Sequence, residues 1–305
     1  EKIDMEMTSL GNTGLSVSRL GVGLARIGYE LTMSDIEEAG QVLNTALDEG
    51  INFLDTAACY DISEELVGRT VAHRRDEYIL ATKCGHVTGG ASGEAWSSQT
   101  IQDSIDRSLQ RLKTDHLDLG QLHSCDTEIL QRGEAVEALL DAKQSGKTRF
   151  VGYSGDNEAA LWAVNSGIFD TLQTSFNVVD QQARIKLFEP AKSKGMGIII
   201  KRPVANGAWR AGNSPYGYAD EYFSRAKVVD DEGPIEEEPS DRMVAAMGFV
   251  LAHQQVDTAI VGTRNPSHMQ KNVEQVATKL PVSINFVEEL HRRFDNLGDQ
   301  WPQLM

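Results

Sequence analysis

The sequence predicts an α/β protein built as a (β/α)8 TIM barrel, with an N-terminal β-hairpin and a long loop after the seventh strand. Three observations predict it. Eight short, apolar, β-prone runs recur along the 305 residues. Amphipathic stretches with helical spacing lie between them, and Gly, Ser and Asp punctuate the boundaries. Eight strand–helix units in a chain of this length match a closed barrel. A doubly wound sheet is the runner-up, but no G-x-G-x-x-G follows an early strand. One domain spanning 1–305 is expected.

The elements follow in order. Residues Met7–Ser18, with Gly11-Asn12-Thr13-Gly14 at the turn, read as a hairpin closing the barrel's bottom. The eight runs are Leu20–Leu24, Ile51–Leu54, Tyr78–Thr82, Leu117–Leu122, Arg149–Val151, Thr171–Thr174, Gly197–Ile200 and Thr258–Val261. Ala39, Val42, Leu43, Ala46 and Leu47 form one helical stripe; Ile101, Ile105, Leu109 and Leu112 form another. Ser34-Asp35 opens a helix, Ser63 comes early in another, and Gly50, Gly146, Gly167 and Gly195 close four. Residues 206–240 form the long loop, and their place after the seventh strand puts them over the active end.

Composition narrows the function classes. The chain is 40% hydrophobic and 24% charged, with a formal net charge of −16. That acidity disfavours a nucleic-acid partner, because phosphate contacts need a basic face. Seven acids crowd residues 230–241, which read as a solvated, mobile loop, with a protein-partner segment as the minority reading. No apolar run approaches the roughly 20 residues that span a bilayer. The charged start Glu1-Lys2-Ile3-Asp4-Met5-Glu6 lacks a signal-peptide apolar core, so a cytoplasmic location is expected. Cys59, Cys84 and Cys125 read as small buried thiols. With no HxH or HExxH pair, no metal site is expected.

Three of four chemistry-bearing residues sit where an apolar run ends. Phe53-Leu54 precedes Asp55, Tyr78–Thr82 precedes Lys83, Leu117–Leu122 precedes His123, and Tyr60 follows shortly after Asp55. On neighbouring parallel strands these side chains converge at the end where α/β barrels place their chemistry. Taken singly, each has a plainer role: a helix N-cap for Asp55, a solvated charge for Lys83, packed rings for Tyr60 and His123.

These stretches resemble the aldo-keto reductase family. The matching segments are Asn52–Ala57 with Tyr60 and Ser63-Glu64, Ala81-Thr82-Lys83, Asp118–His123, Gly146–Ser154, Gln173–Asn177 and Ile260–Pro266, in the family's order along nearly the whole chain. The resemblance implies an NAD(P)H-dependent reduction of aldehydes or ketones, or the reverse oxidation, with a small carbonyl or sugar-like substrate. The residues account for that chemistry. A phenol has an ordinary pKa of about 10, and a nearby ammonium favours the phenolate. Tyr60 is then the general acid, Lys83 tunes it, Asp55 anchors Lys83, and a neutral His123 orients the carbonyl.

Cofactor residues are expected at both ends of a dinucleotide. Gly262, Thr263 and Arg264 precede a helix start at Asn265-Pro266, suited to a phosphate. The resemblance implies that this segment clasps the adenosine end, with Asn272 reaching the adenine. His268 stands near the 2′-phosphate position of relatives, which favours NADP(H) over NAD(H). Ser154 and Gln173 match the pair that hydrogen-bonds the nicotinamide amide, while Gly155 stands where many relatives have Asn. Lys201 replaces a stacking aromatic; its ammonium suits the pyrophosphate, and Arg202 can stack or fork onto phosphate. Trp96, Trp209, Tyr216, Tyr218, Tyr222 and Phe223 are expected near the pocket or as packing for its loops. Two alternatives stand beside the reductase: a cofactor-sensing interaction subunit on the same fold, and a barrel enzyme with Lys83 as a Schiff-base nucleophile.

Overall fold

The computed structural model describes residues 5–89 and 93–304, so Glu1–Asp4 of the charged start lie outside the described residues. A short antiparallel pair, β1 (Met7–Ser9) and β2 (Ser16–Ser18), comes first. Eight parallel strands follow: β3 (Leu20–Gly23), β4 (Phe53–Asp55), β5 (Ile79–Cys84), β6 (Leu117–His123), β7 (Thr148–Ser154), β8 (Thr171–Ser175), β9 (Gly197–Lys201) and β10 (Thr258–Val261). They close in the order β10-β3-β4-β5-β6-β7-β8-β9, the (β/α)8 barrel expected from the alternation. Boundaries shift by one to three residues from the apolar runs, because the pairing continues into polar residues such as Lys83, His123 and Ser154.

Strand parity organises the interior. Phe53 on β4, Ile79 and Ala81 on β5, Leu119 on β6, Ile199 on β9 and Ile260 on β10 meet Leu10, Leu15 and Val17 of the hairpin. This is an apolar plug at the barrel's bottom, and each fully buried aliphatic or aromatic side chain contributes about 1.5–3 kcal/mol. Gly11 N donates to Asp257 Oδ2 at 3.2 Å and Asn12 N to Gly195 O at 2.8 Å, tying the turn to the starts of β9 and β10. Two or four residues further along the same strands, the same inward parity presents Asp55, Lys83, Gln121, His123 and Lys201. The opposite parity, with Leu54, Leu80, Leu122 and Ile198, packs outward against the helices.

Helix punctuation explains the joints. Gly146, Gly167 and Gly195 have φ of +79°, +69° and +72° at helix ends, a conformation that favours glycine. Thr32 and Asp35 form a reciprocal capping box ahead of the helix Ile36–Asp48, one turn earlier than Ser34-Asp35 alone suggests.

The segment 206–240 departs from the expected loop. It contains the helix Asp220–Asp230, and Trp209 and Tyr222 are almost fully buried, so they pack the segment onto the barrel. The acidic stretch is correspondingly less free than a solvated loop. Glu238 accepts from Trp209 Nε1 at 3.2 Å and pairs with Arg210, Glu232 pairs with Arg292, and Asp241 caps the helix Arg242–Leu251. Net charge in a twelve-residue window gave no sight of these partners, which come from distant parts of the chain.

Candidate active site

Three adjacent strand ends and one turn deliver the cluster. Asp55 closes β4, Lys83 stands one residue before the end of β5, and His123 closes β6. Tyr60 lies in the turn before the helix Ser63–Thr70. Gly28 permits that turn's close approach, since a Cβ there would stand 2.2 Å from Tyr60 O. Lys83 Nζ donates to Asp55 Oδ2 at 2.7 Å, to Thr56 O at 2.9 Å and to the Tyr60 hydroxyl at 3.4 Å. An ammonium only donates, so the Tyr60 oxygen accepts and its own proton is left for another acceptor. His123 stands edge-on to Tyr60, ring centroids 5.6 Å apart.

The electrostatics correct one expectation. Burial pushes the Tyr60 phenol above its ordinary pKa, and this outweighs the opposing pull of Lys83. The lysine therefore limits the rise without bringing the phenol below its ordinary value, because both groups share one poorly hydrated site. Burial works against the Lys83 ammonium as well, but Asp55 and Tyr60 together hold its pKa above the ordinary value. His123 is pushed well below 6.5 by burial, then by Lys83, His86, Lys201 and Arg202, so it is neutral near pH 7.

A buried acid–amine pair thus meets a half-buried phenol at this end of a (β/α)8 barrel. A model of the Aldo/keto reductase family matches residues 19–291. The chain belongs to that family. It is 30% identical over 286 residues to L-galactose dehydrogenase of Arabidopsis thaliana, covering 89% of this chain and 88% of that protein. It is 30% identical to 6-dehydroglucose reductase of Novosphingobium aromaticivorans, covering 88% of this chain and 90% of that protein. The holo form of an aldo-keto reductase from Bacillus halodurans superposes with a TM-score of 0.79 at 26% identity, covering 95% and 96% of the two chains. The chain is thus a carbonyl-reducing oxidoreductase, and aldo-keto reductases use nicotinamide cofactors. Among the described residues no helix is long and apolar enough to cross a membrane.

The residues of this aldo-keto reductase fit a dinucleotide at several points. Ser154, at the end of β7, has a fully buried Oγ with no hydrogen-bond partner, as a residue awaiting a polar ligand would. Asn265 caps the helix Pro266–Lys279, and its own N–H donates to Thr263 Oγ1 at 3.1 Å. Gly262 lies so close to β3 that a Cβ would stand 2.8 Å from Gly23 O. His268 is exposed and Asn272 half-buried on the same helix.

Other expected contacts are already occupied within the protein. Gln173 Nε2 donates to Asp55 Oδ2 at 3.1 Å and its Oε1 accepts from Gln121 Nε2 at 2.8 Å, so its amide faces the barrel interior. Lys201 Nζ pairs with the buried Asp156 at 2.8 Å. Arg202 donates to the Tyr218 hydroxyl and to Leu304 O. Arg264 stands 3.6 Å from Glu30 in a groove also lined by Asp35, Glu37 and Glu38. The absence of a side chain at Gly155 has a local reason, since a Cβ there would stand 2.3 Å from the Tyr153 hydroxyl.

Several neighbours escaped the sequence reading. Cys59 is half-buried, unlike Cys84 and Cys125, and its Sγ lies 3.3 Å from His123 Nδ1. His86 meets both His123 and Trp96 edge-on, with centroids 5.1 and 4.8 Å apart. Tyr29 packs edge-on to Tyr60 at 5.8 Å. The position of His86, two residues past the end of β5, was the available signal; Asp156, two residues past β7, was another.

Proposed function

We propose that this aldo-keto reductase catalyses NAD(P)H-dependent reduction of an aldehyde or ketone, or oxidation of the corresponding alcohol, with Tyr60 as the general acid. One observation carries the reading: Lys83 Nζ is shared between Asp55 at 2.7 Å and the Tyr60 hydroxyl at 3.4 Å. When bound, the nicotinamide supplies or takes up the hydride. The chain's residues manage the proton. The raised pKa keeps Tyr60 protonated until a substrate oxygen gains negative charge, and the adjacent ammonium then stabilises the phenolate left behind. Asp55 prevents Lys83 from turning away. We assign the Cys59 thiol as the donor to His123 Nδ1, 3.3 Å away, which leaves the imidazole proton on Nε2 to orient the substrate carbonyl.

The cofactor is NADP(H) in preference to NAD(H), held by Ser154 and Gln173 at the nicotinamide end. Lys201 and Arg202 lie toward the pyrophosphate, and Gly262, Thr263, Arg264, His268 and Asn272 serve the adenosine end. Support comes from the orphaned Ser154 Oγ and the capped helix at Asn265, and requires Gln173 to give up an internal contact. A sugar or sugar-like carbonyl compound is the substrate class, in keeping with the names of the galactose and glucose-derivative relatives. The enzyme acts in the cytoplasm without a nucleic-acid partner. The Schiff-base reading fares poorly, because Lys83 is held as an ammonium and lacks a free lone pair.

Tyr60→Phe tests the proposal. It should fold normally, bind NADPH as judged by tryptophan quenching, and lose turnover by well over tenfold, on the order of 10²–10⁴. Near-full activity would remove Tyr60 as the acid.

A further inference from the structure

Beside the proton-handling residues lies a second constellation that the reductase chemistry uses only in part. Cys59, His86 and His123 come from three neighbouring strand ends, and one ligand atom from each lies within 4.8 Å of the other two. Cys59 Sγ and His123 Nδ1 are 3.3 Å apart. A tetrahedral zinc ion with Zn–S of about 2.3 Å and Zn–N of about 2.0 Å sets its ligand atoms roughly 3.3–3.5 Å from each other. One edge of such a site is therefore already formed, and the other two, each within 4.8 Å, must shorten by at most about 1.5 Å to reach it. Trp96 backs the His86 ring, and a Cβ at Gly85 would strike that indole at 1.9 Å, so the backbone before His86 is shaped by this packing.

The donor set specifies the ion. One sulfur and two imidazoles suit Zn²⁺ and similar N/S-seeking cations, and offer no carboxylate for Mg²⁺ or Ca²⁺. Of the nearby cations that oppose an incoming metal, Lys83 is neutralised by Asp55 at 2.7 Å and Lys201 by Asp156 at 2.8 Å. Arg202 donates to the neutral Tyr218 hydroxyl and Leu304 O and stays as an opposing charge. Coordination also removes the Cys59 proton to solvent, so the ion arrives with a thiolate that cancels part of its charge. Three protein ligands leave the fourth position open to water.

We propose that Cys59, His86 and His123 form an inhibitory site for Zn²⁺ or a similar N/S-seeking divalent cation. Binding itself stands on the geometry alone; inhibition rests on the role assigned to Tyr60 above. A metal on His123 Nδ1 leaves the Nε2 proton in place but sets a positive charge beside Tyr60, which favours the phenolate over the protonated acid that reduction requires. Sequence spacing could not reveal the site, because its ligands are scattered over three separate strand ends and the turns that follow them.

Cobalt titration of the metal-free full chain is the test. One equivalent of Co²⁺ should bring a thiolate-to-cobalt charge-transfer band and intense tetrahedral visible bands, and one equivalent of Zn²⁺ should bleach both. Cys59→Ser should abolish the charge-transfer band, and His86→Gln should weaken cobalt binding by about tenfold or more. Should Cys59→Ser lose its native circular dichroism, His86→Gln decides alone. Absence of the thiolate band, or its survival unchanged in His86→Gln, overturns the site. Zn²⁺ should inhibit carbonyl reduction reversibly, with His86→Gln about tenfold less sensitive; equal sensitivity would overturn the inhibitory role while leaving the cobalt result to judge the site. A protein with no reductase activity at all would still give the cobalt answer.

Discussion

The bottom and top of the barrel use the same ion pairs for different ends. At the bottom, Asp118 accepts from Arg75 at 2.7 Å, from Arg149 at 2.7 Å and from Leu80 N at 2.9 Å. Asp257 accepts from Lys192 at 2.6 Å and from the backbone N–H groups of Ile198 and Gly11. Each carboxylate braces backbone at a strand start. At the top, the contacts of Asp55 are to side chains: Lys83, Gln173 and, at 3.5 Å, Gln121. Its cation is passed on to Tyr60 rather than to the backbone of a neighbouring strand alone. A bracing carboxylate consumes its partner, whereas Asp55 holds a partner that still acts on a third group.

Replacing Lys83 is the severest way to probe that difference. Lys83→Met removes the cation from a fully buried pair and strands Asp55, so stability should fall by about 3–5 kcal/mol. Turnover should fall at least as far as in Tyr60→Phe. Urea unfolding together with steady-state kinetics reads both, and a variant that loses stability but keeps turnover would make this pair a mere brace like those below. Asp118→Asn is the mirror experiment. It leaves Arg75 and Leu80 N incompletely paired and should cost about 1–3 kcal/mol, with KM and the pH profile of kcat unchanged. A shifted pH profile there would mean the two ends are coupled.

Much of this division was legible in the sequence. Period-2 alternation in Phe53-Leu54-Asp55 and Leu119-Gly120-Gln121-Leu122-His123 shows which residues share a face, and the switch from apolar to polar along it marks the top. The eight strands and the convergence of Asp55, Lys83 and His123 follow from that pattern and the barrel closure. What it could not carry was the outcome of competition between distant groups. Burial beats Lys83 at Tyr60, Asp156 claims Lys201, and Glu238 claims Arg210, each through a contact set by packing rather than by local order. Cys59 was read with the other thiols because exposure and the approach of His123 are tertiary facts.

Acid separates the two ends by a milder perturbation. Near the start of β10, His253 Nε2 and His291 Nε2 lie 2.9 Å apart, and burial lowers each to about 4. In the unfolded chain these imidazoles titrate near 6.5. Falling pH therefore protonates the unfolded form first, so their contribution to stability is complete above about pH 6.5 and is lost progressively toward about pH 4. The double variant His253→Gln/His291→Gln should flatten that part of a urea-midpoint profile against pH. The pH profile of turnover should stay where it is, because His123 at the top keeps its own depressed value. Parallel shifts of both profiles would again couple the two ends.

The smallest expected effect lies at the exposed rim of the top, where the ion pair resembles neither case. Arg264 and Glu30 are 3.6 Å apart, with 52% and 38% of their side chains exposed, so solvent screens both. If Arg264 serves the 2′-phosphate of NADP(H), Glu30 competes with the cofactor for it. Arg264→Gln should then weaken NADPH binding relative to NADH by roughly two- to fivefold, the scale of an exposed pair. Glu30→Gln should shift the ratio the other way by a similar factor, because it frees the guanidinium. Tryptophan-quenching titrations with the two nucleotides measure the ratio directly. A ratio that moves in the same direction in both variants would show that Arg264 and Glu30 act together on the adenosine end, with no discrimination of the 2′-phosphate between them.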